Sequence, residues 1–103
     1  MSTSIADRRR ATAARLEREQ IRALLLERRP DLARRLQDGP SGALLIPLPS
    51  GDSIEIGRMR RRGEPRWVVV TPAADGALLR EPASLLAVTQ AALSALRWAE
   101  AGR

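Results

Sequence analysis

The chain has 103 residues, of which 44% are hydrophobic, and a formal net charge of +6 to which arginine contributes all eighteen basic residues. This length fits one domain with one modest core. The chain contains no His, Cys, Lys, Tyr, Asn or Phe, which excludes disulfides and thiolate metal sites and removes most side chains used in acid–base and nucleophilic catalysis. Its acids show no clustered spacing that suits Mg²⁺. We therefore expect a protein that is not an enzyme and uses no metal and no cofactor.

The positive charge is unevenly distributed along the chain. Residues 1–40 carry ten arginines and six acids, residues 51–70 carry five and three, and residues 71–103 carry three of each. A GC-rich genome explains arginine in place of lysine, but it does not explain the excess of arginine over acids. Attraction to a polyanion is therefore expected from the first part of the chain, where Arg8, Arg9 and Arg10 are candidate contacts, and from its middle part.

The sequence contains no targeting or membrane-spanning pattern. Arg8, Arg9 and Arg10 near the N-terminus are followed by no apolar run of the kind found in signal peptides. No apolar segment approaches the roughly 20 residues that span a bilayer. We expect a cytoplasmic protein with no membrane partner.

A long first helix is predicted from Ile5 to Arg28, because no Gly or Pro interrupts this stretch of Ala, Arg, Leu, Glu and Gln. Ser4, followed three residues later by an acid, resembles a capping box. The helical apolar stripe consists of Ala11, Ala14, Ile21 and Leu25. Because the stripe is thin before Ile21, residues 1–20 either pack weakly or project as a frayed arm.

Proline ends this helix. Pro30 removes a backbone donor and clashes with the preceding turn, so the helix should stop or kink near Arg29. Proline also suits the first position of a new helix, which predicts a short second helix from Pro30 or Asp31 to Gln37. Gly39 is the expected stop of that helix.

An antiparallel β-meander follows. Residues 43–48 are apolar at both odd and even positions, so both faces of this predicted strand are apolar. Pro47 confines the strand to an edge because proline cannot donate a hydrogen bond to a ladder. Residues 53–60 form the second predicted strand, and residues 66–71 form the strongest one, a central strand ended by Pro72. A turn at residues 75–76 leads to a short fourth strand over residues 77–79.

The second strand has a problem of register. If Ile54 and Ile56 face the core, strict alternation places Arg58 and Arg60 on the same side. A bulge at Gly57 would turn both arginines outward. Alternatively, the pairing has passed beyond the sheet at this point and leaves a free ribbon. Both alternatives predict solvated arginines.

A last helix is predicted over residues 82–99, with Glu81 or Ser84 near its cap. It is too apolar for one buried stripe, so a further surface must cover part of it. Leu86, Leu93 and Trp98 are the candidates for an oligomer interface. We expect a homo-oligomer of an α+β fold that joins a long N-terminal helix broken near Pro30, a three- to four-stranded antiparallel meander, and a C-terminal apolar helix packed on the sheet.

The clearest functional signal is the stretch 57–67, GRMRRRGEPRW, which reads as the tip of a β-hairpin. Its basic residues are Arg58, Arg60, Arg61, Arg62 and Arg66. Guanidinium groups bind phosphate bidentately and a two-stranded ribbon can enter a major groove, so this hairpin suits DNA or RNA without sequence preference. Trp67 either stacks on an unpaired base or belongs to the core. The plainer alternative is a charged loop that keeps the end of the sheet hydrated.

Two families offer partial resemblances. The order helix, three strands and helix is that of double-stranded RNA-binding domains, and residues 63–70, GEPRWVVV, with the later AALSAL are similar to their second half. Those domains carry a basic run at the start of the last helix, whereas residues 81–84 here read EPAS. The meander with its apolar final helix also resembles the dimeric single-strand-binding fold of positive cofactor four. Without this phosphate clamp the first resemblance carries no function, whereas the second implies a dimer that binds single strands.

A second functional hypothesis is a protein-interaction module such as an antitoxin, inhibitor, chaperone or assembly subunit. The apolar last helix, Trp98 and the edge strand over residues 43–48 could each receive a partner protein. The hairpin arginines would then meet an acidic protein surface.

Overall fold

The computed structural model describes residues 4–102 and shows an α+β fold with a long N-terminal helix, a five-stranded antiparallel sheet and a C-terminal helix. The helices are α1 (Ile5–Arg28) and α2 (Leu85–Glu100), with 3₁₀ turns at Pro30–Arg34 and Pro40–Gly42. The strands are β1 (Gln37–Asp38), β2 (Leu44–Pro47), β3 (Ser53–Arg61), β4 (Glu64–Ala73) and β5 (Gly76–Arg80). Their order in the sheet follows the chain, β1-β2-β3-β4-β5. The fold class and the α1 boundaries confirm the prediction, and the sheet has one strand more than expected.

The start and end of α1 have local causes. The Ser4 side chain accepts a hydrogen bond from the Asp7 backbone N–H at 3.0 Å, which satisfies one of the free donors of the first turn. At the other end the chain leaves the helix at Arg29, and Pro30 begins a 3₁₀ turn. The break at Pro30 is confirmed.

The predicted second helix is shorter than expected. It ends at Arg34 as a single 3₁₀ turn, and the next residues form the unpredicted strand β1. Gln37 lies opposite Leu45 and Asp38 lies opposite Leu44. The prediction that residues 43–48 form a bare edge is therefore wrong at their N-terminal end. Beyond Leu45 the outer side of β2 has no β1 partner, so Pro47 occupies a position where its missing N–H breaks no β1–β2 pair.

The hairpin of β3 and β4 is regular. Its pairs run without interruption from Glu55 opposite Val70 to Arg61 opposite Glu64, so the proposed bulge at Gly57 is wrong. The β2 pairing of β3 stops at Ile56. Residues 57–68 therefore form a two-stranded ribbon beyond the sheet, which was the alternative expectation.

The tip of this ribbon is a two-residue turn. Arg62 and Gly63 both have positive φ, 51° and 83°, which is the geometry of the hairpin turns that match strand twist. Because the alternation stays strict, Arg58 falls on the same face as Ile54 and Ile56. Its side chain is only 26% exposed, so the expectation that every ribbon arginine is solvated is wrong at this position.

The second hairpin differs from the prediction by small shifts. Ala73 lies opposite Gly76, so the turn occupies residues 74–75, one position earlier than predicted. Pro72 does not end β4 but lies opposite Ala77 within the ladder. On its other side, β4 pairs with β3 only as far as Val70. The missing N–H of Pro72 therefore breaks no hydrogen bond between β3 and β4.

Both helices pack on one face of the sheet. The core cluster combines Ile21 and Leu25 of α1 with Val88, Ala92, Leu93 and Leu96 of α2 and with Leu44, Ile46, Ile54, Ile56, Trp67 and Val69 of the strands. α2 begins at Leu85, three residues later than predicted, with Ser84 as its cap. Leu93 is buried in this core and is therefore not available as an interface residue, whereas Leu86 and Trp98 are 48% and 74% exposed.

Candidate nucleic-acid interface

The N-terminal half of α1 and the β3–β4 ribbon lie at the same end of the sheet. Glu17 accepts a hydrogen bond from Trp67 Nε1 at 2.8 Å, near the base of the ribbon. At the opposite end Arg29 donates to Glu100 at 2.8 Å and Arg35 contacts the Pro47 carbonyl oxygen at 3.4 Å. The helix therefore runs along the strands with its N-terminus toward the ribbon tip.

Residues 4–17, residues 57–68 and Glu81 together form what we call the basic end. At a rise of about 1.5 Å per residue, α1 extends about 18 Å beyond Glu17. At about 3.3 Å per residue, the ribbon extends about 13 Å beyond Trp67. The basic end holds nine arginines against four carboxylates, so it contains most of the net charge of the chain.

The ribbon arginines outnumber the carboxylates that they contact. Arg61 and Arg62 share Glu81, at 3.2 and 3.1 Å. Arg66 pairs with Glu64 at 3.5 Å. Arg60 donates to the Gly63 carbonyl oxygen at 2.8 Å and, within residues 4–102, forms no ion pair. One acid thus serves two guanidinium groups at the tip, which leaves donors free for an added anion.

The tip of the ribbon is accessible to a large partner. The side chains of Arg62, Arg66 and Arg61 are 78%, 47% and 39% exposed. Exposed ion pairs contribute only about 0–1 kcal/mol each. A phosphate could therefore replace the exposed Arg66–Glu64 contact at little cost in folding stability.

The first turns of α1 add a second row of arginines. Every side chain over residues 5–13 is exposed, and Arg8, Arg9 and Arg15 form no ion pair in the described part of the chain. Arg10 pairs with Asp7 at 2.7 Å. The hydrogen bond from Arg10, followed by that from Ser4, lowers the pKa of Asp7 below its ordinary value, so this carboxylate stays charged.

Trp67 belongs to the core. It is 9% exposed, and its indole N–H is bonded to Glu17. Of the two alternatives for this residue, stacking on an unpaired base would require a free ring face that this burial does not leave. The tryptophan instead fixes α1 against the base of the ribbon.

The opposite end of the sheet carries a balanced cluster, which we call the anchored end: Arg29, Arg35, Asp31 and Glu100. Arg29 donates to both oxygens of Glu100 at 2.8 and 2.9 Å and to Asp31 at 2.9 Å. The Arg29 hydrogen bonds lower the pKa of Glu100 to about 2 and hold the pKa of Asp31 well below its usual range. These bonds in turn raise the pKa of Arg29. Sequence reasoning missed this cluster, since Arg29 and Glu100 are distant in the chain.

An apolar groove of about 770 Å³ lies between α2 and the β4–β5 side of the sheet. Its walls include Leu48, Ile54, Leu78, Ala95 and Trp98. Arg80 is the one charged side chain among the described lining residues, and no ion pair within residues 4–102 involves it. The groove therefore combines apolar walls with one free guanidinium group.

Among residues 4–102, no three side chains of Asp, Glu, His or Cys come together as they would around a metal ion. Neither α1 nor α2 is long and apolar enough to cross a bilayer.

Comparison of the chain with models of known protein families, with curated proteins and with solved structures found no match. The two resemblances drawn from the sequence remain hypotheses.

Proposed function

We propose that this protein binds nucleic acid, DNA or RNA, without sequence preference and without catalysing a reaction. The observation that carries the proposal is the excess of nine arginines over four carboxylates at the basic end. Such a concentration creates a positive potential that attracts a polyanion and raises its rate of association.

The shape of the basic end suits a phosphate backbone. The ribbon presents Arg60, Arg61 and Arg62 at its tip, and a two-stranded ribbon fits the width of a major groove. Arg8 and Arg9 on the projecting helix supply a second contact row. Each guanidinium can donate two parallel hydrogen bonds to one phosphate. Contacts of this kind hold the backbone in place and read no sequence.

The test is binding of a labelled duplex and a labelled single strand over a series of salt concentrations. Affinity of the parent protein should fall steeply with salt, because each phosphate contact adds about 0.9 to the slope of log K against log salt on duplex DNA. The triple variant Arg60→Gln, Arg61→Gln and Arg62→Gln should lower that slope by about 3 if each of the three arginines contacts one phosphate.

A matched control keeps the same change of net charge at a distance from the ribbon. Arg28, Arg34 and Arg97 are exposed and, among the described residues, take part in no ion pair. Their triple change to Gln should leave the slope near that of the parent. Equal losses in the two triple variants would mean that net charge alone causes binding and would contradict the assignment to the ribbon.

A second candidate function, protein binding, rests on the apolar groove beside Trp98. Its free Arg80 favours an acidic amphipathic segment of another protein over a second copy of this chain, since the described lining of the groove provides no carboxylate to pair with Arg80. A homo-oligomer is the competing occupant. In either case Trp98, 74% exposed, would be covered.

Two measurements decide this second candidate. A helical peptide with leucine on one face and glutamate on the other should bind the parent protein and lose affinity on Arg80→Glu, whereas the same peptide with lysine should bind weakly. Light scattering over a range of concentrations reports self-association. A dimer that Trp98→Ala disrupts would assign the groove to a second copy and contradict the acidic partner.

A further inference from the structure

A second, smaller pocket lies at the basic end, between α1 and the base of the ribbon. Its volume is about 470 Å³, and its walls include Ala11, Ala14, Arg15, Ser41, Arg58 and Trp67. The two alanines leave space beside the helix. Ser41, which has a short side chain, lies in the 3₁₀ turn that precedes β2. The pocket is thus bordered by a helix on one side and by a loop on the other.

Arg58 lines this pocket and has an unpaired donor. Its Nε atom is buried and, within residues 4–102, meets no hydrogen-bond acceptor. Its terminal Nη2 stands 3.7 Å from Glu17, longer than a hydrogen bond. The nearer Glu17 oxygen is already bonded to Trp67 at 2.8 Å. A buried guanidinium N–H without an acceptor is rare in proteins and calls for an explanation.

Two guanidinium groups that line the pocket, those of Arg15 and Arg58, therefore donate no hydrogen bond to any residue among 4–102. Arg15 lines the pocket and forms no ion pair with the described residues, which makes it the companion of Arg58. Arg18 also lines the pocket, but it is occupied. It donates to the Gly42 carbonyl oxygen and to Glu19, at 2.8 and 2.7 Å, and to Asp38 as well.

We propose that this pocket binds a terminal phosphate group, a phosphomonoester at the end of a nucleic-acid strand. The inference rests on the proposed function, since the surrounding basic end would bring the strand to the pocket. A phosphomonoester carries close to two negative charges at neutral pH and three acceptor oxygens, which matches the donors of Arg15 and Arg58. A phosphodiester within a strand carries one charge and a sugar on each side, so it suits the open ribbon instead.

The main experiment compares one oligonucleotide, labelled at its 3′ end, with a 5′-phosphate and with a 5′-hydroxyl. The parent protein should bind the phosphorylated strand about fivefold to tenfold more tightly, because charge-assisted hydrogen bonds to a partly enclosed anion are among the stronger ones. Arg15→Gln and Arg58→Gln should each remove this preference. Arg62→Gln, outside the pocket, should weaken both strands equally and keep the preference.

A second measurement tests the pocket without a nucleic-acid strand. Adenosine monophosphate should shift the Arg58 Nε–H and Trp67 indole N–H resonances in a nitrogen–proton correlation spectrum, and adenosine should leave them unchanged. The same spectrum shows whether Arg58→Gln is folded. If Arg58→Gln does not fold, Arg15→Gln still tests the pocket, because Arg15 is exposed.

The outcomes separate the two proposals. If both strands bind the parent equally and the monophosphate shifts neither resonance, the pocket proposal is wrong while the ribbon proposal stands. If neither strand binds but the monophosphate shifts both resonances, the proposed nucleic-acid function fails and the pocket is a site for a free nucleotide. A preference that persists in both Arg15→Gln and Arg58→Gln would place the terminal phosphate elsewhere.

Discussion

The two ends of the sheet use arginine in opposite ways. At the anchored end Arg29 and Arg35 contact Asp31 and Glu100, so two guanidinium groups meet two carboxylates. At the basic end nine arginines face four carboxylates. The first arrangement balances its charge within the molecule, and the second leaves charge for a partner.

This contrast shows that arginine content alone does not identify a binding surface. The positions of the carboxylates decide which arginines have structural roles. Glu100 joins the end of α2 to the junction after α1. Glu81, by contrast, serves both Arg61 and Arg62, so the ribbon tip remains positive even with its acid in place.

The largest expected effect is a difference in stability between the core and the basic end. Ile21 is fully buried, whereas Leu16, five residues earlier in α1, is 61% exposed. Ile21→Ala should lower the free energy of unfolding by about 2–5 kcal/mol through lost burial and a cavity, and Leu16→Ala should change it by less than about 0.5 kcal/mol. Urea unfolding followed by circular dichroism measures both. Equal losses would mean that the N-terminal half of α1 packs as firmly as the C-terminal half.

The next effect distinguishes the two parts of the basic end in binding. Changing Arg8, Arg9 and Arg10 together to Gln should weaken nucleic-acid binding, but by less than the same change at Arg60, Arg61 and Arg62. Strand pairing holds the ribbon in place, whereas the first turns of α1 have no buried side chain. A contact that these turns make with nucleic acid must therefore also order their side chains. Fluorescence anisotropy at one low salt concentration compares the two variants. A greater loss from the helix variant would make α1 the principal contact.

A smaller effect is expected from the ion pairs of the anchored end. Glu100→Gln removes the carboxylate that Arg29 contacts with both of its terminal nitrogens. Because these side chains are 28–31% exposed, the loss in the free energy of unfolding should be about 1 kcal/mol. Nucleic-acid affinity of this variant should stay at the parent value. A change of affinity larger than that of stability would contradict the separation of the two ends.

The stability difference between the parent and Glu100→Gln should depend on pH. Glu100 has a pKa of about 2 in the folded protein against an ordinary value of 4.5. A lowered folded pKa gives stability that is present above pH 4.5 and is lost as the pH falls toward 2. The stability difference between the parent and Glu100→Gln should therefore shrink over this interval, as thermal unfolding at several pH values can measure. A difference that stays constant down to pH 2 would exclude the ion pair as its cause.

The smallest effects come from the two helix caps. Ser84 and Ser4 each accept a hydrogen bond at 3.0 Å from the backbone N–H three residues later. Ser84→Ala should cost about 1 kcal/mol, because α2 unfolds only with the core. Ser4→Ala should cost little global stability, since the exposed first turns of α1 can open locally. Amide exchange near the N-terminus would instead increase. Equal global losses would contradict local opening.

Much of the fold could be predicted from local patterns. The helix from Ile5 to Arg28 has no breaker, and Pro30 ends it by removing a backbone donor. The run of valines after Trp67 predicted a central strand because such side chains pack on both sides of a pleated sheet. These features depend on residues close in the chain.

Long-range partners caused the errors. Residues 37–38 lack any strand signal and form β1 only because β2 offers a free edge at Leu44 and Leu45. The arrangement of the candidate site was equally hidden. The spacing of the ribbon arginines was visible in the sequence, whereas Glu17 and Glu81 reach them from elements distant in the chain.

The sequence by itself determined an α+β domain with an excess of arginine in its first and middle parts and a neutral last third. Tertiary structure decided which arginines are free. Ion pairs form between side chains brought together by packing, and a carboxylate 71 positions away, as Glu100 is from Arg29, leaves no pattern in the sequence. The same packing of α1 on the ribbon encloses Arg58, exposes Arg62 and places the helix N-terminus at the same end of the sheet as the ribbon tip.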